Sequence, residues 1–143
     1  MTTTGRLLRL ILWVTGGALL LATPFVFVPR TWHADIHEWL GFGPYPDGPI
    51  TDYLVRSVSA MYVLSGLFCW LVATDVRRYG PTILFLGASS VAFGALMTAV
   101  DAMLALPWWW LAGEGPPAIV LGILLIVLER ASNRAPEDAA AHP

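Results

Sequence analysis

The chain contains no lysine, a single cysteine, and only 13% charged residues. Each scarcity removes a class of function. Its eight basic residues are all arginines dispersed along the chain, so there is no basic patch of the kind that binds nucleic acid. A net charge of -2 and a pI near 5.8 agree. Cys69 alone forms neither an intrachain disulfide nor a cysteine metal cluster, and its position within an apolar run marks it as a packing residue. The sequence shows no nucleophile paired with a base, no phosphate-binding loop and no complete set of metal ligands. It therefore names no catalytic residue and implies no cofactor.

What is abundant is apolar length. Hydrophobic residues make up 57% of 143, outside the balance of a soluble domain and within the length of one domain. Arg6 and Arg9 precede an apolar run ending near Val28. That run is long and lacks a small-x-small cleavage pattern followed by a soluble domain, so a retained signal-anchor is expected over 7–28. Gly16-Gly17-Ala18 offers a close-contact patch within it, and Pro24 is placed to bend its outer end.

Three further spans follow. Residues 53–73 would make a helix about 31 Å long, close to the thickness of a bilayer's hydrocarbon core. The third span, 81–106, has Pro81 in its first turn and stops before Pro107. The fourth, 115–130, starts with prolines in its first turn and is about 24 Å long, enough to cross where the bilayer thins or protein covers the ends. Glu114 would then sit at its N-terminal end, favoured there by the helix dipole. The sequence predicts an all-α, four-span transmembrane bundle, followed by a polar, Ala/Pro-rich tail over 131–143 that is expected to be disordered.

Between spans one and two, a short interfacial helix is expected, capped by Thr31 and ended by Gly41. Trp32, Ile36, Trp39 and Leu40 fall on one face of it, and His33, Asp35, His37 and Glu38 face water on the other. His33 and His37, one turn apart, have the spacing by which a helix offers two imidazoles to one metal. Two ligands fall short of a site: Glu38 follows the second histidine, unlike the His-Glu-x-x-His of metalloproteases, and the only other histidine lies in the tail. The reading is a solvated polar face, with His33 and His37 as the metal candidates short of a full set. The Pro/Gly-rich stretch from Gly41 to Pro49 is expected to be a tight loop, with Thr51 or Asp52 best placed to cap a helix at Tyr53. Pro107-Trp108-Trp109-Trp110 reads as an aromatic anchor at the membrane–water boundary.

Each central span carries one buried-looking charge, Arg56 and Asp101. If the turn Asp75–Tyr79 makes an antiparallel hairpin, the two lie at similar depth and are expected to pair. Heptad spacing places Arg56, Ser59, Val63, Gly66, Trp70 and Ala73 on one stripe and Gly87, Ser90, Gly94, Met97 and Asp101 on another. Facing stripes would set Val63 near Gly94 and Trp70 near Gly87. An unpaired charge at the centre of a membrane helix costs at least ~2.5 kcal/mol, so each should find a partner.

Arg6, Arg9, Arg77, Arg78, Arg130 and Arg134 flank one side of such a bundle and only Arg30 and Arg56 the other. That bias predicts a bacterial inner-membrane protein with both termini cytoplasmic. The outer side then gathers the ligand-binding candidates His33, His37, Asp52, Arg56, Asp101 and Glu114.

The runs Pro46-Asp47-Gly48-Pro49-Ile50-Thr51-Asp52-Tyr53-Leu54-Val55-Arg56-Ser57, Asp75-Val76-Arg77-Arg78-Tyr79 and Pro107-Trp108-Trp109-Trp110 resemble those of small four-helix membrane proteins of environmental bacteria. That group has no assigned activity, so the resemblance implies a fold and a compartment. In size and span count the chain is also similar to DoxX-like four-helix proteins, which accompany quinone-linked redox systems. Two functional readings follow. One is a non-enzymatic structural or accessory subunit whose Arg56–Asp101 pair locks the central hairpin. The other is a redox accessory or small-molecule binder holding a quinone-like or anionic ligand in the outer-leaflet cluster. The lipid bilayer is the partner common to both, with a second copy, another membrane protein, or a quinone or lipid ligand as the alternatives beyond it.

Overall fold

The computed structural model describes residues 3–141, with side chains through residue 132. Among the described residues all regular structure is helical. The order is α1 (Thr3–Leu20), α2 (Thr23–Phe27), α3 (Arg30–Trp39), α4 (Pro49–Thr74), α5 (Gly80–Met103) and α6 (Trp108–Ala141). Four segments are long and apolar enough to cross a bilayer: Thr3–Phe27, Pro49–Thr74, Gly80–Met103 and Trp108–Ser132. The fold class is the expected one.

Large apolar side chains cover the outside of these helices. Val14, Met61, Phe85 and Leu96 are each more than half exposed, whereas fully buried positions are few and include Leu8, Leu12, Val72 and Ile83. Water would not tolerate that distribution over so much surface. Lipid supplies no hydrophobic drive between helices, so close packing of small residues must hold them together.

The chain divides into two compact units, one of residues 12–71 and the other of 1–11 with 72–143. In the first, α1–α2 runs antiparallel to α4. Trp70 packs against Trp13 at a tilt of 44°, with ring centroids 4.9 Å apart, and donates its Nε1–H to the Trp13 carbonyl at 3.1 Å. Gly16 and Gly66 meet backbone to backbone: a Cβ on Gly66 would lie 2.8 Å from the Gly16 oxygen. Higher up the same seam, Arg56 reaches Val26 and Val28, and Arg30 reaches Asp52.

The first span is broken where Pro24 withholds the N–H that Leu20 would accept. Thr23 Oγ1 donates to that carbonyl instead, at 2.6 Å, and the N–H groups of Leu21 and Ala22 tighten to i−3 carbonyls. The bend is the one expected from Pro24, expressed as two helices.

Helix α3 ends as expected at Gly41. Its φ of +83° allows the N–H groups of Gly41 and Phe42 to reach back to Glu38 and His37. Its start differs. Pro29 occupies the N-cap with no side-chain cap, so Thr31 lies inside the helix. Helix α4 likewise begins at Pro49 rather than Tyr53, since proline is suited to a first turn, and Asp52 falls within that turn.

In the second unit, α5 and α6 pack antiparallel through glycines one heptad apart on each helix. A Cβ on Gly87 would meet the Gly122 oxygen at 2.8 Å, and one on Gly94 the Gly115 oxygen at 2.5 Å. This corrects the expected contacts of Trp70 with Gly87 and of Val63 with Gly94. The glycine face of α5 takes α6, and Trp70 takes Gly16 and Trp13. Small residues mark a packing face without naming its partner. Helix α5 starts with proline in its first turn and closes at Met103, earlier than Leu106, because Ala105 adopts φ +51° and turns Leu106 N–H back to the Asp101 carbonyl.

Helix α6 corrects the fourth span. It starts at Trp108, includes Pro116 and Pro117, and continues to Ala141. The prolines remove the donors for the carbonyls of Ala112 and Gly113. Both of those residues are exposed, and nothing lies within 4 Å of Gly113's Cβ position, so the rings have room. Glu114 is consequently in the second turn of α6, away from the dipole end expected for it. His142 is outside the described residues.

Candidate functional site

The connection from α2 to the start of α4 is organised by Arg30, the first residue of α3. Its guanidinium ties down the loop by donating Nη2–H to the Pro46 carbonyl at 3.0 Å and to Asp47 Oδ1 at 2.9 Å, and Nη1–H to Asp52 Oδ2 at 3.1 Å. The same group lies 5.1 Å from the Tyr45 ring centre, and the Tyr45 hydroxyl donates to Asp52 Oδ1 at 3.2 Å. A planar fork with five donors suits such a divergent set of acceptors. Burial, and then the hydrogen bond to Asp52 and its charge, push the Tyr45 hydroxyl above its ordinary pKa, keeping it a donor.

Arg30→Lys keeps the charge but loses the fork. We expect destabilisation of about 1 kcal/mol, already discounted because the Arg30 side chain is over one-third exposed. Thermal unfolding in detergent checks it. Asp47 is fully exposed and is expected to be replaceable by alanine without a measurable change.

Arg56 lies about two turns into α4. Its Nη1–H and Nη2–H donate to the carbonyls of Val26 and Val28, the latter at 2.8 Å. Those residues end α2, where helical carbonyls have no intrahelical partner, so a cation there answers both hydrogen-bonding need and dipole. Among the described residues both ion pairs are made by Arg30, and Arg56 and Asp101 are in neither. Asp101 on α5 is buried, at 3% exposure, and its Oδ2 has no hydrogen-bond partner among the described residues. Within its own unit, Arg56 thus has its donors taken by backbone carbonyls that the Pro29 turn leaves in reach.

The histidines also differ from expectation. Thr31, Trp32, Asp35, Glu38 and Trp39 are the exposed residues of α3, while His33 is buried at 5%. The inward side of the helix carries His33 with the half-buried Ala34, Ile36, His37 and Leu40, while tryptophans and acids share the outward side. His33 is sandwiched between Phe25 and Tyr45, each with ring centroids 6.4 Å away, and its Nε2 is 3.1 Å from the Phe25 carbonyl. His37 packs on Tyr45 and Phe42, with Nδ1 3.0 Å from the Gly43 carbonyl.

The structure thus gathers His33, His37, Asp52 and Arg56 around one connection, and places Asp101 and Glu114 in the other unit. It adds Arg30, Tyr45 and Asp47, which residue types alone did not single out. The available signal was one cation on each side of a 21-residue polar link containing two aspartates. Among the described residues no group of three or more histidine, cysteine or acidic side chains is arranged for a metal. Glu129 on α6 is a further buried acid, at 3% exposure, with a partner of its own. Compared with protein-family models, curated proteins and solved structures, the chain matches none.

Proposed function

We propose that this multi-pass membrane protein is a non-enzymatic structural or accessory subunit of a bacterial inner membrane, with both termini cytoplasmic. The observation that carries the reading is that polar side chains of the 30–56 region are spent on fastening the chain to itself. Arg30 closes the loop onto α3 and α4, and Arg56 fastens α4 to the end of α2. The locking role expected of an Arg56–Asp101 pair falls, on this reading, to arginine–carbonyl latches in the first hairpin. The arginine asymmetry supports the orientation, with Arg77 and Arg78 on the side assigned to the cytoplasm and Arg30 on the other.

Two measurements test it. Alkaline-phosphatase fusions after Leu40 should be active, and fusions after Arg78 or Ser132 inactive; the reverse pattern overturns the orientation. Mass spectrometry of the protein purified in mild detergent should find a membrane-protein partner or a second copy. A stoichiometric quinone or other small molecule would instead overturn the structural reading.

A further inference from the structure

Topology needs only positive charge on one side of a bilayer, and lysine supplies it as well as arginine does. Here every basic residue is arginine, a planar fork that grips phosphate through two parallel hydrogen bonds where an ammonium acts as a point charge. Six of the eight arginines fall in the compact unit of residues 1–11 and 72–143, and five of these have described side chains: Arg6, Arg9, Arg77, Arg78 and Arg130. The register of α5 on α6 sets their level. Gly87 meets Gly122, Tyr79 lies eight residues before Gly87 and Arg130 eight residues after Gly122, about 12 Å along each helix. Arg130 is therefore level with the turn that carries Arg77 and Arg78. Helix α1 runs antiparallel to α4, so its first turns, with Arg6 and Arg9, are at the end where α4 closes at Thr74.

These arginines differ from Arg30 and Arg56, whose donors are spent on the chain itself. All five are exposed, and among the described residues the side chains of Arg6, Arg9, Arg77 and Arg130 make no hydrogen bond or ion pair. Arg78 lies over the Tyr79 ring, 5.7 Å from its centre, a contact that steadies the guanidinium without using its N–H groups. The acids of the unit answer little of this charge. Asp75 accepts the Arg78 backbone N–H at 3.1 Å, and Glu129 is buried with a partner of its own. Asp101 and Glu114 lie at the far ends of α5 and α6, and Glu137 and Asp138 come two turns beyond Arg130. From this we infer that the arginine end of the unit binds the phosphodiester headgroups of anionic phospholipids, through the forks of Arg77, Arg78 and Arg130 with Arg6 and Arg9 beside them. Within two turns of these arginines Leu10, Phe85 and Val127 are exposed, so the acyl chains of a lipid held there have apolar surface to lie against. The site goes beyond the structural role proposed above and would stand if that role failed, since a headgroup layer meets these arginines in either orientation. A surface lipid is also distinct from the quinone-like ligand that would overturn that role.

The test uses the full chain in a neutral detergent, with native mass spectrometry counting bound lipid as phosphatidylglycerol, diphosphatidylglycerol or the zwitterionic phosphatidylethanolamine is titrated. Both anionic lipids should bind well below the concentration at which the zwitterionic one does, and inorganic phosphate at millimolar concentration should not displace them. Arg77→Gln, Arg78→Gln and Arg130→Gln combined should weaken binding by about a hundredfold, at roughly fivefold for each arginine removed from a headgroup. Lysine at the same three positions keeps the charge that directs insertion and loses the fork, so it should still bind several-fold more weakly than the wild type. All three positions are exposed, and circular dichroism checks that the variants are folded. If the glutamine variant is not, the lysine variant decides alone. Equal binding by the lysine variant and the wild type, equal binding of zwitterionic and anionic lipid, or displacement by inorganic phosphate overturns the site.

Discussion

Replacing Gly94 or Gly122 by leucine is expected to separate α5 from α6 and abolish the cooperative unfolding of that unit. At Gly94 even a methyl group would sit 2.5 Å from the Gly115 carbonyl oxygen and 2.8 Å from Ile119 Cγ1. At Gly122 it would meet Val91 Cγ2 at 2.7 Å and the Val91 nitrogen at 2.8 Å. Backbone atoms cannot rotate away as a side-chain tip can, so the helices must move apart. In lipid, loss of close contact is not offset by water release, because apolar faces are equally content against acyl chains. Overpacking of this kind costs roughly 1–3 kcal/mol for ordinary core insertions, and backbone-to-backbone contact puts these substitutions at or above the upper end. Gly113→Leu is the control: nothing lies within 4 Å of its Cβ position, and helix propensity alone should make it neutral to favourable. Thermal unfolding in detergent, followed by tryptophan fluorescence, measures all three. Wild-type behaviour of Gly94→Leu would show that α5 and α6 do not meet through this face.

The spans were legible from hydropathy because a membrane helix needs only length and apolarity, both one-dimensional properties. The choice of neighbour was less so. The α5 stripe was recognisable from Gly87 and Gly94, yet its true counterpart, Gly115 and Gly122 at the same heptad spacing, was obscured by Pro116 and Pro117. Two prolines suggest a helix start, which shortened the fourth span and left Trp108–Trp110 outside it as an aromatic anchor. In the structure the residues one turn earlier are Ala112 and Gly113, small enough to admit both rings in mid-helix. The connection shows the same limit from another side. Amphipathic spacing on α3 sorted its residues into an apolar and a polar face, yet the exposed side mixes the two, because which residues turn inward depends on what the neighbouring segments offer them. Trp32 and Trp39 are outward and His33 inward. Equally, Asp101 and Arg56 were recognisable as charges on packing faces. A sequence lists ionisable partners readily and backbone carbonyls not at all, so the Val26 and Val28 oxygens had no one-dimensional signature.

That distinction yields a second large effect. Arg56→Leu should destabilise residues 12–71 by roughly 2–4 kcal/mol, because two carbonyls at the end of α2 lose charged donors and no side chain of leucine's kind can replace them. The decisive quantity is its coupling to Asp101. If the arginine neutralised that carboxylate, Asp101→Val alone would strand a buried cation, and the double variant would recover much of the loss, since a buried ion pair often exchanges for apolar residues without penalty. With Arg56 donating to Val26 and Val28, removing the carboxylate leaves its donors satisfied. The two substitutions should then add to within about 0.5 kcal/mol in a double-mutant cycle. Asp101→Val should on its own be neutral or stabilising, because it removes a buried oxygen that has no hydrogen-bond partner among the described residues. A coupling of about 1.5 kcal/mol or more would restore the salt bridge and displace the carbonyl latch as the function of Arg56.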